Sequence, residues 1–490
     1  MISSEMTQLA QRCASVRDIA DGLMEGVSRF SGPSRVAAIT TFESPDKLFI
    51  SDDHGLLTDY AKDIAAYYLR DQTWKTRIPM YGPDAYQMGF YPQQPFELPK
   101  VIAYATSSPR ILYQSWFVER PPNLVSEGPL MKWLEYVSLL LHYESFTWVL
   151  GAERPLRVVA AASANYADQA VAEYIRCELN WATTSNTKLN ISAVIDAVLG
   201  ISSTYEEGQR AAGRLVIAEE SVLQQQAFVV KFPNDSFPSL NKWKHAQKLL
   251  RTVSGTNLSL VSNGQWLMGI CEISPSEKGI INVNFQGGSG EFLVGAKPVC
   301  SFRDGRIYSS SLRPNLSEFS ATRTKIGLTA EQETNLTSIV KTLAESAIKS
   351  RHGCTVVIDL NKPLLKLAGQ QLECPLDISK KAAQALAVSM SQVDGAVQLT
   401  ADGSLRAFGC ILDGPLLSSE DRSRGARYNS ALRFSKQNPK CVVVVVSEDG
   451  HISLFHEGKN IQEPPELLHR ATQRPPTLPL LEEWIRRWVS

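Results

Sequence analysis

Residues 441–446 read Cys-Val-Val-Val-Val-Val, and a β-branched run with no polar alternation fits a strand buried on both faces. A half-exposed strand would alternate polar and apolar residues, and a surface helix would carry a polar stripe. The chain is therefore expected to build a layered α/β sheet flanked by helices.

The neighbouring residues supply such a sheet. RHGCTVVIDL (351–360) reads as a second buried strand, followed by a loop with Pro363 and Gly369 and a helix led by Asp377. VDGAVQLT (393–400) and LRAFGCIL (405–412) read as strands joined by an Ala-Asp-Gly turn at 401–403. GARYNSALRFSKQN (425–438) reads as an amphipathic helix stopped by Asn438 and Pro439.

At 490 residues the chain is long enough for two to four domains. Residues 1–235 are expected to form an α/β region, with helices over 9–30, 57–70 and 168–175 and strands at 36–42, 101–106 and 156–164. Residues 77–100 read as an ordered loop, and residues 133–150, broken by Glu135, His142 and Glu144, as a core helix. Residues 236–322 read as a small β-rich module, in which QGGSGE (286–291) is a hairpin turn more readily than a phosphate loop, since it lacks Lys-Ser/Thr and opens no helix. A long amphipathic helix from Leu328 begins a domain over 323–470, and 471–490 form an amphipathic tail expected to dock on the protein's own body. Trp74, Tyr81, Tyr86, Tyr91 and Trp116 are candidates for a ligand pocket in the N-terminal region, against the plainer role of packing over a core edge. The ligand itself is unknown.

Fifty Lys+Arg balance fifty Asp+Glu, so the long-range field that gathers a nucleic acid or an anionic membrane is missing and neither is an expected partner. The N-terminus lacks a basic region followed by an apolar one, no segment reads as a membrane span, and the eight cysteines are scattered without a CxxC pair. A cytoplasmic protein with reduced thiols is expected.

Three features of the last domain carry chemistry. Asp394-Gly395-Ala396 sets an acid and a glycine in an apolar strand, where a carboxylate needs a donor, metal or ligand. Gly425-Ala426-Arg427 sets a cation at a helix start, a place for phosphate. Ser447-Glu448 follows the valine strand, at an end where α/β sheets hold ligands. A bulge, a cap and a turn would each account for one of them alone.

In order and spacing, His352-Gly353, Asp394-Gly395-Ala396, Gly409, Arg427 and Val446-Ser447-Glu448 resemble the diadenylate cyclase domain, over about residues 344–457. Where that family usually reads Thr-Arg-His-Arg, this chain reads Ala426-Arg427-Tyr428-Asn429, similar to the sporulation-type branch. The resemblance implies condensation of two ATP into cyclic di-AMP with Mg²⁺ or Mn²⁺, by two subunits facing each other across a two-fold axis. It assigns metal binding and activation of the 3′-hydroxyl to Asp394, and the phosphate clamp to Arg427 with Gly425 and Ala426. Asn429 and Ser430 become polar seconds, Gly395 and Ala396 the approach for adenine, and Ser447 and Glu448 helpers toward metal or phosphate. The alternatives are a nucleotide sensor without turnover and a cyclase of other nucleotides.

Overall fold

The protein is described by a computed structural model, which covers all residues except 1, 33, 43–45, 72, 78–88, 93–97, 99–100, 108–112, 122–123, 138–165, 207, 312–315, 317–318, 320–322, 324–325, 351, 379, 418–419, 421–424, 448–451, 462–474 and 490. The expected strand at 156–164, Tyr81, Tyr86 and Glu448 lie outside the described residues. The chain divides into two units, residues 1–311 with 467–490, and residues 312–466.

In the first unit, helix α1 (Ile2–Ser31) buries Cys13, Val16, Ala20, Leu23, Val27 and Phe30 at helical spacing. They pack against a sheet of β1 (Val36–Thr41), β2 (Phe49–Ser51), β3 (Gly89–Pro92), β4 (Val101–Ser107) and β5 (Tyr113–Glu119), in the order β2-β1-β5-β4-β3. β1 is buried throughout because Val36 and Ala38 enter the core under α1 while Ala37 and Ile39 enter a second core behind the sheet. Trp74 and Trp116 are fully buried core residues, which gives both the packing role. β3 occupies part of the segment expected as a loop: four residues pair with β4, a long-range contact that local pattern does not reveal.

Helices α2 (Ala167–Thr183) and α3 (Ile191–Ser203) join the core under α1, and Asn190 caps α3 through Ala193 N–H at 3.2 Å. A mixed sheet follows, made of β6 (Ala212–Ala218), β7 (Phe228–Lys231), β8 (Ser259–Ser262), β9 (Leu267–Cys271), β10 (Ile280–Gln286), β11 (Ser289–Val294), β12 (Lys297–Arg303) and β13 (Arg306–Tyr308). Its order is β13-β12-β11-β10-β6-β8-β9-β7. The β-rich module expected from residue 236 thus reaches back to Ala212, because β6 is the strand that joins β10 to β8. Between β6 and the parallel β8 runs a crossover containing helix α4 (Trp243–Arg251). Gln286 pairs with Ser289, so QGGSGE is a hairpin turn.

The second unit opens with helix α5 (Ala330–Ser350), started by a reciprocal cap: Gln332 N–H donates to Thr329 Oγ1 at 3.2 Å and Thr329 N–H to Gln332 Oε1 at 3.1 Å. Its sheet contains β14 (Cys354–Asp359), β15 (Ala368–Asp377), β16 (Ala396–Thr400), β17 (Ser404–Ile411), β18 (Cys441–Val446), β19 (Ile452–His456) and β20 (Lys459–Asn460), in the order β15-β17-β16-β14-β18-β19-β20. β14 runs parallel to β16 and antiparallel to β18, so the sheet is mixed. α5 and α6 (Lys381–Ser391) share one core with Val442, Val444 and Val446; α7 (Ala426–Gln437) shares the other with Cys441, Val443 and Val445. That division is why the valine strand shows no alternation.

Two expectations are corrected in this unit. Residues 368–377 form the edge strand β15 rather than loop, and Asp377 ends that strand, with α6 beginning at Lys381. An edge strand exposed along most of its length carries too few buried apolar residues to be read from pattern.

Among the described residues, no helix is long and apolar enough to cross a membrane. The tail helix α8 (Leu481–Trp488) instead docks on the first unit. Leu481, Trp484 and Ile485 enter the core behind β1, and Ile50 N–H donates to Pro479 O at 3.1 Å. The nearly buried Arg17 donates to Pro475 O at 2.6 Å and Thr477 O at 3.2 Å.

Just past β2, Asp52 accepts from Leu56 N–H at 2.7 Å and Leu57 N–H at 3.1 Å, yet burial outweighs these bonds and the nearby Arg35 and pushes its carboxyl up to about 6. A folded pKa above the usual ~3.9 means the fold favours the protonated acid, so this contribution is complete below about pH 4 and is lost as pH rises through 6. With partial solvent screening it amounts to about 2 kcal/mol. The first unit should therefore lose stability from pH 4 to pH 6, and Asp52→Asn should flatten that part of a denaturation-versus-pH curve; an unchanged slope in the variant would remove Asp52 as its source.

Candidate active site

The parallel register of β14 and β16 sets Thr355 beside Ala396, and the antiparallel register of β14 and β18 sets Cys354 beside Val446. Three chain segments therefore meet along the edge formed by the ends of the central strands: His352-Gly353 entering β14, Asp394-Gly395 entering β16, and Ser447 leaving β18. Ligands of open parallel sheets gather at strand C-termini. Here only β18 presents that end, and β14 and β16 present their N-termini.

Glycines permit the close approach. Gly395 has φ +113°, and a Cβ there would lie 2.6 Å from the carbonyl carbon of Gly409, itself at φ +58°. Asp394 is held in the turn between α6 and β16, outside the strand, with its side chain 97% exposed. This corrects the expectation of a costly carboxylate within an apolar strand: Gly395 kinks the chain so that the acid faces solvent.

Helix α7 packs on the sheet through Ala431, Leu432 and Phe434, and its start lies over the same edge. Gly425 occupies the N-cap with no side-chain cap, Ala426 is the first helical residue, and Arg427 the second. The Arg427 guanidinium reaches Asp394, with Nη2 to Oδ1 at 3.3 Å. It also covers Gly353, where a Cβ would sit 2.2 Å from Nη1. An ion pair this exposed contributes little to stability. From within α7, Arg433 donates two bonds of 2.6 Å to the Glu420 carboxylate.

The other expected residues divide by geometry. Ala396 is buried, its side chain part of the core under α7. Ser430, three residues past Arg427, shares its helix face, whereas Asn429, two residues on, is turned to another; both are half-buried. Tyr428 turns inward, its ring meeting Phe455 edge-on at 4.7 Å. Cys354, at the start of β14, is pushed up to about 11 by burial and is an inert thiol.

Among the described residues, no group of three His, Cys, Asp or Glu side chains is placed to hold a metal ion. A lone exposed carboxylate fits a divalent ion whose remaining ligands are water and phosphate oxygens, the usual condition of Mg²⁺ beside a nucleotide. Residue reasoning had not assigned a role to Gly353 or Gly409. Their signal was present as glycines flanking strands, but which backbone each admits depends on pairing across the sheet.

Residues 342–460 match the family model described as DisA bacterial checkpoint controller nucleotide-binding, DAC. Residues 10–184 and 192–296 match the models of the probable sensor domains DACND and DACNH. No curated protein matches the chain. Among solved structures, a hypothetical membrane spanning protein from Bacillus cereus is 22% identical, with 26% of this chain and 65% of that chain covered and a TM-score of 0.22. This chain thus spans just under two thirds of that protein's length. A cysteine double mutant of DacA from Staphylococcus aureus is also 22% identical, with 27% of this chain and 87% of that chain covered and a TM-score of 0.21. Matched over residues 342–460, the C-terminal domain of this chain belongs to the diadenylate cyclase domain family.

Proposed function

We propose that the C-terminal domain condenses two ATP into cyclic di-AMP and two pyrophosphates, under control of the N-terminal region. The observation that carries this reading is the meeting of Asp394 and Arg427 at 3.3 Å on an edge lined by glycine backbone. In each half-reaction a 3′-oxygen forms a bond to the α-phosphorus of the other ATP, the bond from that phosphorus to the β-phosphate bridge breaks, pyrophosphate leaves, and the hydroxyl proton passes toward Asp394 or water. Such a transfer needs alignment and neutralised charge above all. Asp394 binds and orients at the hydroxyl, and Arg427 holds the triphosphate with the Gly425-Ala426 backbone. Ser430, with Asn429 beside it, gives polar support, and the Gly395-Ala396 backbone receives adenine. Ser447 and Glu448 keep the supporting role toward metal or phosphate that the family resemblance implies. Bound by Asp394, Mg²⁺ or Mn²⁺ supplies charge neutralisation on the phosphates and lowers the pKa of the hydroxyl.

An acid 97% exposed is accessible to a nucleotide held by a second subunit. Val393, Ile411 and Leu416, all exposed on the same unit, are consistent with a face-to-face two-fold pairing. Specific activity should rise with protein concentration until the pairs are saturated; a constant value down to a concentration shown to be monomeric would end the two-subunit scheme.

One observation favours a second reading. Tyr428 stands where the family usually has histidine and is committed to Phe455, which removes a polar group from the clamp. The rival is therefore a nucleotide sensor without turnover. Product formation from ATP with Mn²⁺ separates the two, and competition among four nucleotides tests selectivity for ATP.

A further inference from the structure

His352 immediately precedes the glycine on which the Arg427 guanidinium rests. Its main-chain N–H donates to Ala347 O at 3.1 Å, which ties it to the last turn of α5. Both ring nitrogens are buried, and neither has a hydrogen-bond partner among the described residues. Buried polar atoms are paired in the great majority of cases, and an imidazole presents one donor and one acceptor when neutral. Burial and the charge of Arg427 both favour the neutral ring here. A neutral ring beside a guanidinium offers what that cation takes, an acceptor nitrogen. No packing need explains it, because an aliphatic side chain would fill the space without stranding two nitrogens.

We propose that His352 is a positioning residue for Arg427. When nucleotide and metal claim Asp394, the guanidinium must leave the carboxylate that it touches at 3.3 Å. An N–H of Arg427 then donates to the acceptor nitrogen of His352, and the guanidinium is held over Gly353, facing the triphosphate rather than swinging into solvent. Gly353 makes the arrangement possible, since any side chain there would occupy the place of Nη1. The cyclase reading above is needed only for the activity part of the test.

The test compares full-length His352→Ala, His352→Asn and His352→Gln with the unmodified protein. Binding of a non-hydrolysable ATP analogue in the presence of Mn²⁺ is measured by calorimetry, and kcat and KM are measured for ATP. His352→Ala is expected to weaken analogue binding about tenfold and to lower kcat/KM about tenfold to a hundredfold through loss of alignment. Its melting temperature should be unchanged, because the ring makes no hydrogen bond among the described residues. One of the two amides should restore most of the loss: Asn places its oxygen near Nδ1 and Gln near Nε2, so the variant that recovers identifies the accepting nitrogen. Analogue binding by His352→Ala equal to that of the unmodified protein would overturn the proposal. So would a lowered melting temperature with no rescue by either amide, which is the pattern of a packing residue. Failure of the cyclase reading looks different, since the unmodified protein would then bind the analogue and form no product while the same order of affinities remained.

Discussion

Asp394→Asn is expected to abolish cyclic di-AMP formation, lowering turnover by about 10³-fold or more, with the fold unchanged. The amide keeps the volume but gives up the charge that a divalent ion requires and the basicity that an attacking hydroxyl uses. Stability should not follow, since the side chain is 97% exposed and its described partner is a solvent-exposed guanidinium at 3.3 Å. Arg427→Ala should also fall strongly, but through weaker nucleotide binding as well as slower turnover. Product measured by mass spectrometry, alongside far-ultraviolet circular dichroism, checks both. Full turnover by a folded Asp394→Asn protein would take this residue out of the mechanism.

The second large effect lies in the first unit. Trp484→Ala should destabilise that unit by about 3–5 kcal/mol, the cost of deleting a large side chain from a packed core. Trp484 is 6% exposed and shares its core with Leu481, Ile485 and Phe117. Trp488, on the same helix but 55% exposed, is the control, and Trp488→Ala should change stability by less than about 0.5 kcal/mol. A chain of two units need not unfold in one step, so calorimetry should show the transition of the first unit moving down while that of the second stays in place. Equal effects of the two substitutions would mean that the tail does not complete that core.

The layered character of the last domain was legible because burial on both faces leaves a mark in composition, the uninterrupted valines of β18. Its acid, arginine and glycine were legible as residue types at a strand start and a helix start. Their juxtaposition was not, since the 3.3 Å contact of Asp394 with Arg427 depends on the parallel pairing of β14 with β16 and on α7 crossing the same edge. Nonlocal pairing also hid β6, whose seven residues join β10 to β8, and β15, an exposed edge strand. The amphipathic tail announced an apolar face through Leu481, Trp484 and Ile485. Its docking place required the backbone of β2 and the side chain of Arg17. His352 was visible as a residue before a strand, but the burial of its two ring nitrogens, without a hydrogen-bond partner among the described residues, appears only once the surrounding chain is folded.

Purified full-length protein, at a concentration high enough for subunits to pair, is incubated with ATP and Mn²⁺, and the mixture is resolved by mass spectrometry with pyrophosphate measured in parallel. Cyclic di-AMP is expected with two pyrophosphates per product molecule, formed only with the divalent ion and absent with Asp394→Asn. Nucleotide bound but no cyclic product across a range of protein concentrations and with either Mg²⁺ or Mn²⁺ would contradict the cyclase reading, and would assign the domain to nucleotide sensing instead.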